Sequence, residues 1–338
     1  MRKLKKFLSA GILGLLVWQG GGQLTTVPSV AEAAYENPFT NIQYKEFKGE
    51  EEKAYIKQKM TAMFSGGPLN APTEYVTPKG WQREVLTLNN VPVERFVPEQ
   101  AKTDRVVLFL HGGGYIGGLH NRYRDWGVNL AELAGKAELL AVDYRLAPQY
   151  QHPAALEDAL AAYEGILAKG YDPQKMIIMG DSAGGNLAAA LLVALRDKGR
   201  PLPKLGVLFS PWTSFGAELP SRVRNYNKDM VLGEMNKRMT PAVLDSAYAK
   251  GTALTDPYLS PAFADLSGLP KLLLIAGGDE LLLDDTVLFA QHAQNDGVEV
   301  TTSIYRGMSH DWTLLLPELP ETKAAFKEVR EFIKRSMK

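Results

Sequence analysis

Gly180-Asp181-Ser182-Ala183-Gly184-Gly185 is the stretch of this chain best suited to chemistry. It follows the apolar run Met176-Ile177-Ile178-Met179 and leads into Asn186-Leu187-Ala188-Ala189-Ala190-Leu191-Leu192. A buried strand, a sharp turn and an Ala/Leu helix are the natural reading. In so tight a turn a side chain two residues before or after the serine would strike the neighbouring strand or helix, which accounts for the glycines. The turn lifts the Ser182 hydroxyl clear of the sheet, at a helix N-terminus where developing negative charge is favoured. A serine hydroxyl becomes a nucleophile only with a base to take its proton and a carboxylate to orient that base.

A Gly-x-Ser-x-Gly between strand and helix resembles the nucleophile elbow of the α/β-hydrolases, whose acid and base follow the serine in the order acid, then His. Two of the five histidines lie after Ser182. His292 falls on the polar side of a helix expected over 284–295. His310 follows the expected strand Val298–Tyr305 in a loop on the rim that carries Ser182, and is the expected base. The acid should close the preceding strand. Leu272-Leu273-Leu274-Ile275-Ala276-Gly277-Gly278-Asp279 ends on a carboxylate, so Asp279 is the expected acid. Asp284 and Asp285 read as the cap and first turn of the next helix. Glu280 points away from Asp279 if strand geometry persists, and would tie the loop down. His111-Gly112-Gly113-Gly114-Tyr115 follows the strand Arg105–Leu110. Its glycines let backbone amides approach a ligand, and Ala183 N–H completes an oxyanion hole. His111 reads as a residue that shapes this loop, not as a second base.

These groups need a scaffold, and the rest of the chain supplies one. Arg83–Leu88 and Val91–Val97 read as a strand pair around Asn89-Asn90. Thereafter buried strands (105–110, 139–143, 176–179, 206–210, 272–276, 298–305) alternate with helices (125–136, 153–169, 284–295, 322–337). This is the pattern of an α/β protein with a mostly parallel sheet covered on both faces. Pro211 to about Pro261 breaks the alternation. It begins at a strand's C-terminal end, where ligand sites of open sheets lie, and reads either as a cap or as surface packing. The segment 35–82, with a helix at Glu50–Met60 ended by Ser65-Gly66-Gly67-Pro68, would join it. The expected organisation is a signal peptide over 1–34, an N-terminal cap segment over 35–82, and a catalytic domain over 83–338 with a cap insertion at about 211–261.

The 338 residues carry a net charge of +0 and are 45% apolar, so nothing in the charge favours a nucleic-acid partner. The absence of cysteine excludes disulfides, thiolate metal sites and thiol catalysis. Arg2, Lys3, Lys5 and Lys6, the apolar run Phe7–Trp18, and Ala31-Glu32-Ala33 together have the build of a Sec signal peptide. The run is short and glycine-broken for a membrane span, which favours cleavage over a retained anchor. Cleavage after Ala33 or Ala34 removes four positive charges and one negative, leaving about −3.

Five motifs taken together resemble the hormone-sensitive-lipase-like family of α/β-hydrolases, the bacterial lipolytic family IV. They are His111-Gly112-Gly113-Gly114, Asp143-Tyr144-Arg145-Leu146-Ala147-Pro148, Gly180-Asp181-Ser182-Ala183-Gly184-Gly185, Gly278-Asp279-Glu280 and Gly307-Met308-Ser309-His310. The resemblance runs from about Arg105 to Trp312. It implies an α/β-hydrolase fold with a helical cap and a carboxylesterase or acetyl esterase activity needing no metal or cofactor. It implies a Ser182–Asp279–His310 triad, oxyanion amides from Gly113, Gly114 and Ala183, and a structural ion pair at Arg145. Glu280-Leu281 departs from the Pro-Leu that follows the acid in many members. The cap is expected to line an apolar pocket, with Tyr115, Trp212 and Phe215 as candidate walls, suited to short- or medium-chain esters. An amidase or deacetylase would use the same triad. A binding protein on this fold should have lost the base, whereas His310 is present. Activity is expected to fall below about pH 6 to 7 as His310 protonates.

Overall fold

The computed structural model describes residues 37–65, 74–100, 103–216, 218–237 and 239–338. The expected signal peptide lies outside them. Residues 37–338 form one compact unit. In chain order it contains α1 (Glu51–Ser65), β1 (Trp81–Leu88), β2 (Val91–Pro98), β3 (Val106–Leu110), α2 (Asn121–Leu133), β4 (Glu138–Val142) and α3 (Ala154–Ala168). Then come β5 (Met176–Asp181), α4 (Ser182–Asp197), β6 (Leu205–Phe209), α5 (Ser221–Arg224), α6 (Thr240–Leu244), β7 (Lys271–Gly277), α7 (Leu283–Asn295), β8 (Val300–Tyr305), α8 (Trp312–Leu315) and α9 (Pro320–Ser336).

The eight strands form one sheet in the order β1-β2-β4-β3-β5-β6-β7-β8. β2 runs antiparallel to both β1 and β4, and from β4 to β8 every pairing is parallel. The central strands β3, β5 and β6 are buried along their whole length, as their unbroken apolar runs require of strands covered on both faces. Helix α9 buries Thr322, Ala325, Phe326 and Val329, at i, i+3, i+4 and i+7, and continues the stripe with Phe332 and Ile333. Helix α4 is buried almost all round, so it runs through the core.

The expected elements form, with boundaries displaced by a few residues. Helix α2 runs Asn121–Leu133 in place of the expected 125–136, with Asp125 in its second turn. Asp125 is buried inside the helix, where its carboxylate accepts a bond from the Tyr75 hydroxyl at 2.9 Å. Residues 211–261 contain no strand among the described residues, only α5, α6 and short turns. Helix α1 buries Ile56 and Met60, and its Tyr55 hydroxyl donates to Glu318 at 2.6 Å. Among the described residues no helix is long and apolar enough to cross a membrane.

The elbow is the tightest place in the fold. A Cβ at Gly184 would collide with the carbonyl oxygens of Leu110 and His111, and one at Gly180 with Gly184 O. Ser182 itself sits in the left-handed region, at φ 49°. Gly184→Ala should therefore lower stability by more than about 2 kcal/mol, because the clash is with backbone that cannot rotate away. Urea unfolding of the variant beside the parent measures this.

Candidate active site

Ser182 Oγ lies 2.8 Å from His310 Nε2, across 128 residues of chain. His310 stands in the loop between β8 and α8 and is 2% exposed. Its other nitrogen, Nδ1, lies 3.2 Å from Glu280 Oε2. A carboxylate accepts and does not donate, so Nδ1 carries a proton and Nε2 is the nitrogen that faces the Ser182 hydroxyl. Glu280 is fully buried, and Gly277 N–H donates to its Oε1 at 3.2 Å. Burial pushes Glu280 up to about 7, against the hydrogen bond and charge of His310, which pull it down.

The glycine loop lies against this elbow. Gly112 N–H donates to Asp181 Oδ1 at 2.9 Å, which ties the loop to the residue before the nucleophile. Gly113 and Gly114 have φ of 101° and 64°, so glycine is needed at both. Ala183 is in the first turn of α4, whose N–H groups have no partner within the helix. His111 is fully buried, with Nδ1 2.8 Å from Gly112 O and its ring stacked on Tyr144 at 4.3 Å. Burial pulls it down to about 4, so it is neutral at physiological pH and shapes the loop, as expected. A strand, a strained serine, an imidazole–carboxylate pair and a glycine loop beside them are a constellation suited to acyl transfer.

A family model described as an alpha/beta hydrolase fold matches residues 107–314, the span that holds all of these groups. The chain belongs to the hormone-sensitive-lipase-like α/β-hydrolases. It is 37% identical over 251 residues to an acetyl-hydrolase of Streptomyces hygroscopicus, covering 74% of this chain and 82% of that protein. It is 34% identical over 240 residues to an ethyl acetate hydrolase of Pseudomonas putida, covering 66% and 72%. A solved esterase of the bacterial hormone-sensitive lipase family is 36% identical with a TM-score of 0.71, covering 89% of this chain and 95% of that one. This hydrolase is thus a serine ester hydrolase.

One expected residue is corrected. Asp279 does not face the base of this hydrolase. Its side chain is 34% exposed, with Oδ1 4.0 Å from Lys228 Nζ. The reason is the phase of the turn after β7. Pairing with the β8 side continues past the strand, with Gly278 N–H donating to Tyr305 O at 2.7 Å and Asp279 N–H to Met308 O at 3.1 Å. The chain then turns inward, so the carboxylate aimed at His310 is one residue later. The opposed directions of Asp279 and Glu280 were legible in the sequence; which of them faces inward was not.

Asp284 and Asp285 stand in the first turn of α7, as expected, but neither caps it, since the N-cap position is Leu282. Asp285 is fully buried in an ion pair with Arg222 at 2.6 Å and accepts from Ser214 N–H at 2.9 Å. Asp284 accepts from Ser221 N–H at 2.8 Å. They belong to a clamp that sequence reasoning missed. Asn225 Nδ2 donates to Glu280 O at 2.9 Å, Arg222 and Ser221 Oγ donate to Leu281 O at 2.6 Å each, and Leu281 N–H donates to Asp229 Oδ2 at 2.7 Å. The backbone on both sides of the Glu280 side chain is therefore held by residues 221–229 of the insertion. The cluster of Ser, Arg, Asn and Asp in a segment with no strand was the only available signal.

Tyr115, Trp212 and Phe215 come together beside the elbow, but mostly against one another. Trp212 stacks on Phe215 at 4.0 Å, and Tyr115 stacks on Tyr248, which the sequence did not single out, at 3.8 Å. The Tyr115 hydroxyl donates to Asn186 Oδ1 at 2.5 Å, and Trp212 N–H donates to Ser182 O at 3.0 Å. Arg145 pairs with Asp158 at 2.8 Å and with Glu157 at 3.1 Å, the structural role expected of it. His292 sits against Ala262 O at 2.9 Å, far from any role as base.

Two substitutions separate the rival acids. Glu280→Gln should lower kcat by roughly 10⁴-fold, the cost of losing the carboxylate behind a triad histidine, and Asp279→Asn by less than about threefold. Steady-state kinetics on both variants decides between them. Arg222→Met leaves Asp285 charged and buried without its partner, and should cost about 3–5 kcal/mol in denaturant unfolding.

Proposed function

We propose that this esterase hydrolyses short- to medium-chain carboxylic esters through an acyl-enzyme on Ser182. His310 takes the Ser182 proton as the hydroxyl attacks the ester carbonyl, and returns it to the departing alcohol. Glu280 holds the imidazole and balances its charge. The amides of Gly113, Gly114 and Ala183 receive the oxyanion. Water then attacks the acyl-enzyme, again with His310 as base, and the acid leaves. The observation that carries this reading is the 2.8 Å contact of Ser182 Oγ with His310 Nε2, with Glu280 on the opposite nitrogen.

The segments 35–82 and about 211–261 act as the cap. Tyr115, Trp212 and Phe215, locked into stacked pairs, are rigid walls that suit small acyl groups better than long chains. The names of the relatives point the same way, two of them being acetyl or ethyl acetate hydrolases. Residues 1–34, a signal peptide by composition, direct the enzyme out of the cytoplasm. N-terminal sequencing of exported protein should begin at residue 34 or 35; export with Met1 retained would overturn that assignment.

The test is a series of p-nitrophenyl esters with matched anilides, run beside a fluorophosphonate label. Butyrate esters should outpace long-chain emulsions, and esters should outpace anilides. Ser182→Ala should lose both turnover and label while folding normally. A faster anilide would make the enzyme an amidase, and faster long-chain emulsions would remove the size limit.

A further inference from the structure

Beside the reacting nitrogen lies a second carboxylate for which the triad has no use. Asp311 Oδ2 is 3.0 Å from His310 Nε2, the atom that also faces Ser182 Oγ. Asp311 is not placed there by a structural duty of its carboxylate. It precedes α8 but makes no side-chain cap, its backbone is left-handed at φ 52°, and its Oδ1 is buried without a partner. The backbone is instead pinned: Asp311 N–H donates to Ser210 Oγ at 3.3 Å, and its carbonyl accepts from Leu314 and Leu315 N–H at 3.0 Å each. A buried carboxylate with an orphaned oxygen is costly, and among the described residues its ion-pair partner is the imidazole.

We infer that Asp311 is a positioning residue that favours the doubly protonated form of His310, and so moves the onset of this esterase's activity to higher pH. This rests on Ser182 and His310 being the nucleophile and base.

The argument is one of lone pairs. Neutral His310, protonated on Nδ1 toward Glu280, presents a bare lone pair at Nε2. An ionised carboxylate oxygen 3.0 Å away repels that lone pair. Imidazolium carries N–H on both nitrogens and satisfies both carboxylates at once, Glu280 through Nδ1 and Asp311 through Nε2. The other titratable groups around the ring do not reverse this. Asp229 of the insertion and Asp181 of β5 also act on His310, and burial raises both, Asp181 far above the carboxylate range with Asp311 adding to its rise. From α2, Tyr123 faces Asp181 and Asp311 and is itself raised by burial. Burial pulls His310 down, yet Asp311 first and Glu280 second lift it well above 6.5. The sign follows directly. The base is active when neutral, so kcat/KM rises with pH through the lifted value, not through the pH 6 to 7 expected from an unperturbed histidine.

The experiment is the pH profile of kcat/KM for p-nitrophenyl acetate with the parent, Asp311→Asn and Asp311→Glu. The parent's acid limb should lie above pH 6.5. Asp311→Asn should move it down by about one unit or more, since an opposite charge at this range shifts a group by that much. Asp311→Glu, which keeps the charge, should leave it nearer the parent. A limb that stays in place in Asp311→Asn, or moves up, overturns the inference. If Asp311→Asn does not fold, the His310 ring is titrated by NMR in the parent, and a midpoint at or below 6.5 overturns it equally. Fluorophosphonate labelling of Ser182→Ala is run in parallel. A persisting label means that the nucleophile assignment has failed; a lost label with an unmoved limb means that only the role of Asp311 has.

Discussion

The site depends on one close approach: helix α4 starts directly on the nucleophile and presses its first turn onto the end of β3. Only hydrogen fits between Gly184 and the carbonyls of Leu110 and His111. That approach forces Ser182 into a left-handed backbone and brings the first amides of α4 beside the glycine loop. Asp181, immediately before the serine, then ties that loop down through Gly112 N–H. Ser182 and the glycine loop are thus set by a single steric condition, enforced by the most deeply buried strands of the sheet.

The imidazole side of the site is set differently, by polar groups in a dry interior. Asp181, Asp229, Glu280 and Asp311 are buried around it, and Asp285 is buried against the insertion. Arg222 neutralises Asp285, and His310 meets Glu280 and Asp311. In such surroundings burial disfavours a proton on His310, and the two carboxylates within ion-pair distance more than offset that. The same density of carboxyls explains why the insertion matters to chemistry. Its Ser221, Arg222, Asn225 and Asp229 satisfy the backbone of the 278–281 turn, and without them that turn would hold buried unpaired amides and carbonyls. A segment read from sequence as a cover therefore also serves as a support.

Ser182, His310 and the glycine loop could be found without coordinates because each is announced locally. Apolar strand, glycine turn and Ala-rich helix stand in immediate succession, and His310 is the histidine after Ser182 that falls in a loop at the end of a strand. The alternation of buried strands and amphipathic helices fixes the α/β architecture in the same way, through periods of a few residues. Asp279 went wrong, and Glu280 was missed, because facing is a matter of phase: one extra residue of pairing beside β8 reverses which carboxylate turns inward. Nor does anything local reveal that Asp284 and Asp285 reach across to the insertion and do not cap α7.

The amino-acid sequence alone determined the sheet, the elbow, the histidine that meets Ser182 and the class of reaction, since these follow from short-range patterns of polarity and from the steric demands of glycine. Tertiary structure alone decided which carboxylate orients His310, what holds its turn in place, and that Asp311 shares the reacting nitrogen. Those are matters of direction and distance between residues far apart in the chain, and such vectors exist only once strands, turns and insertion have packed.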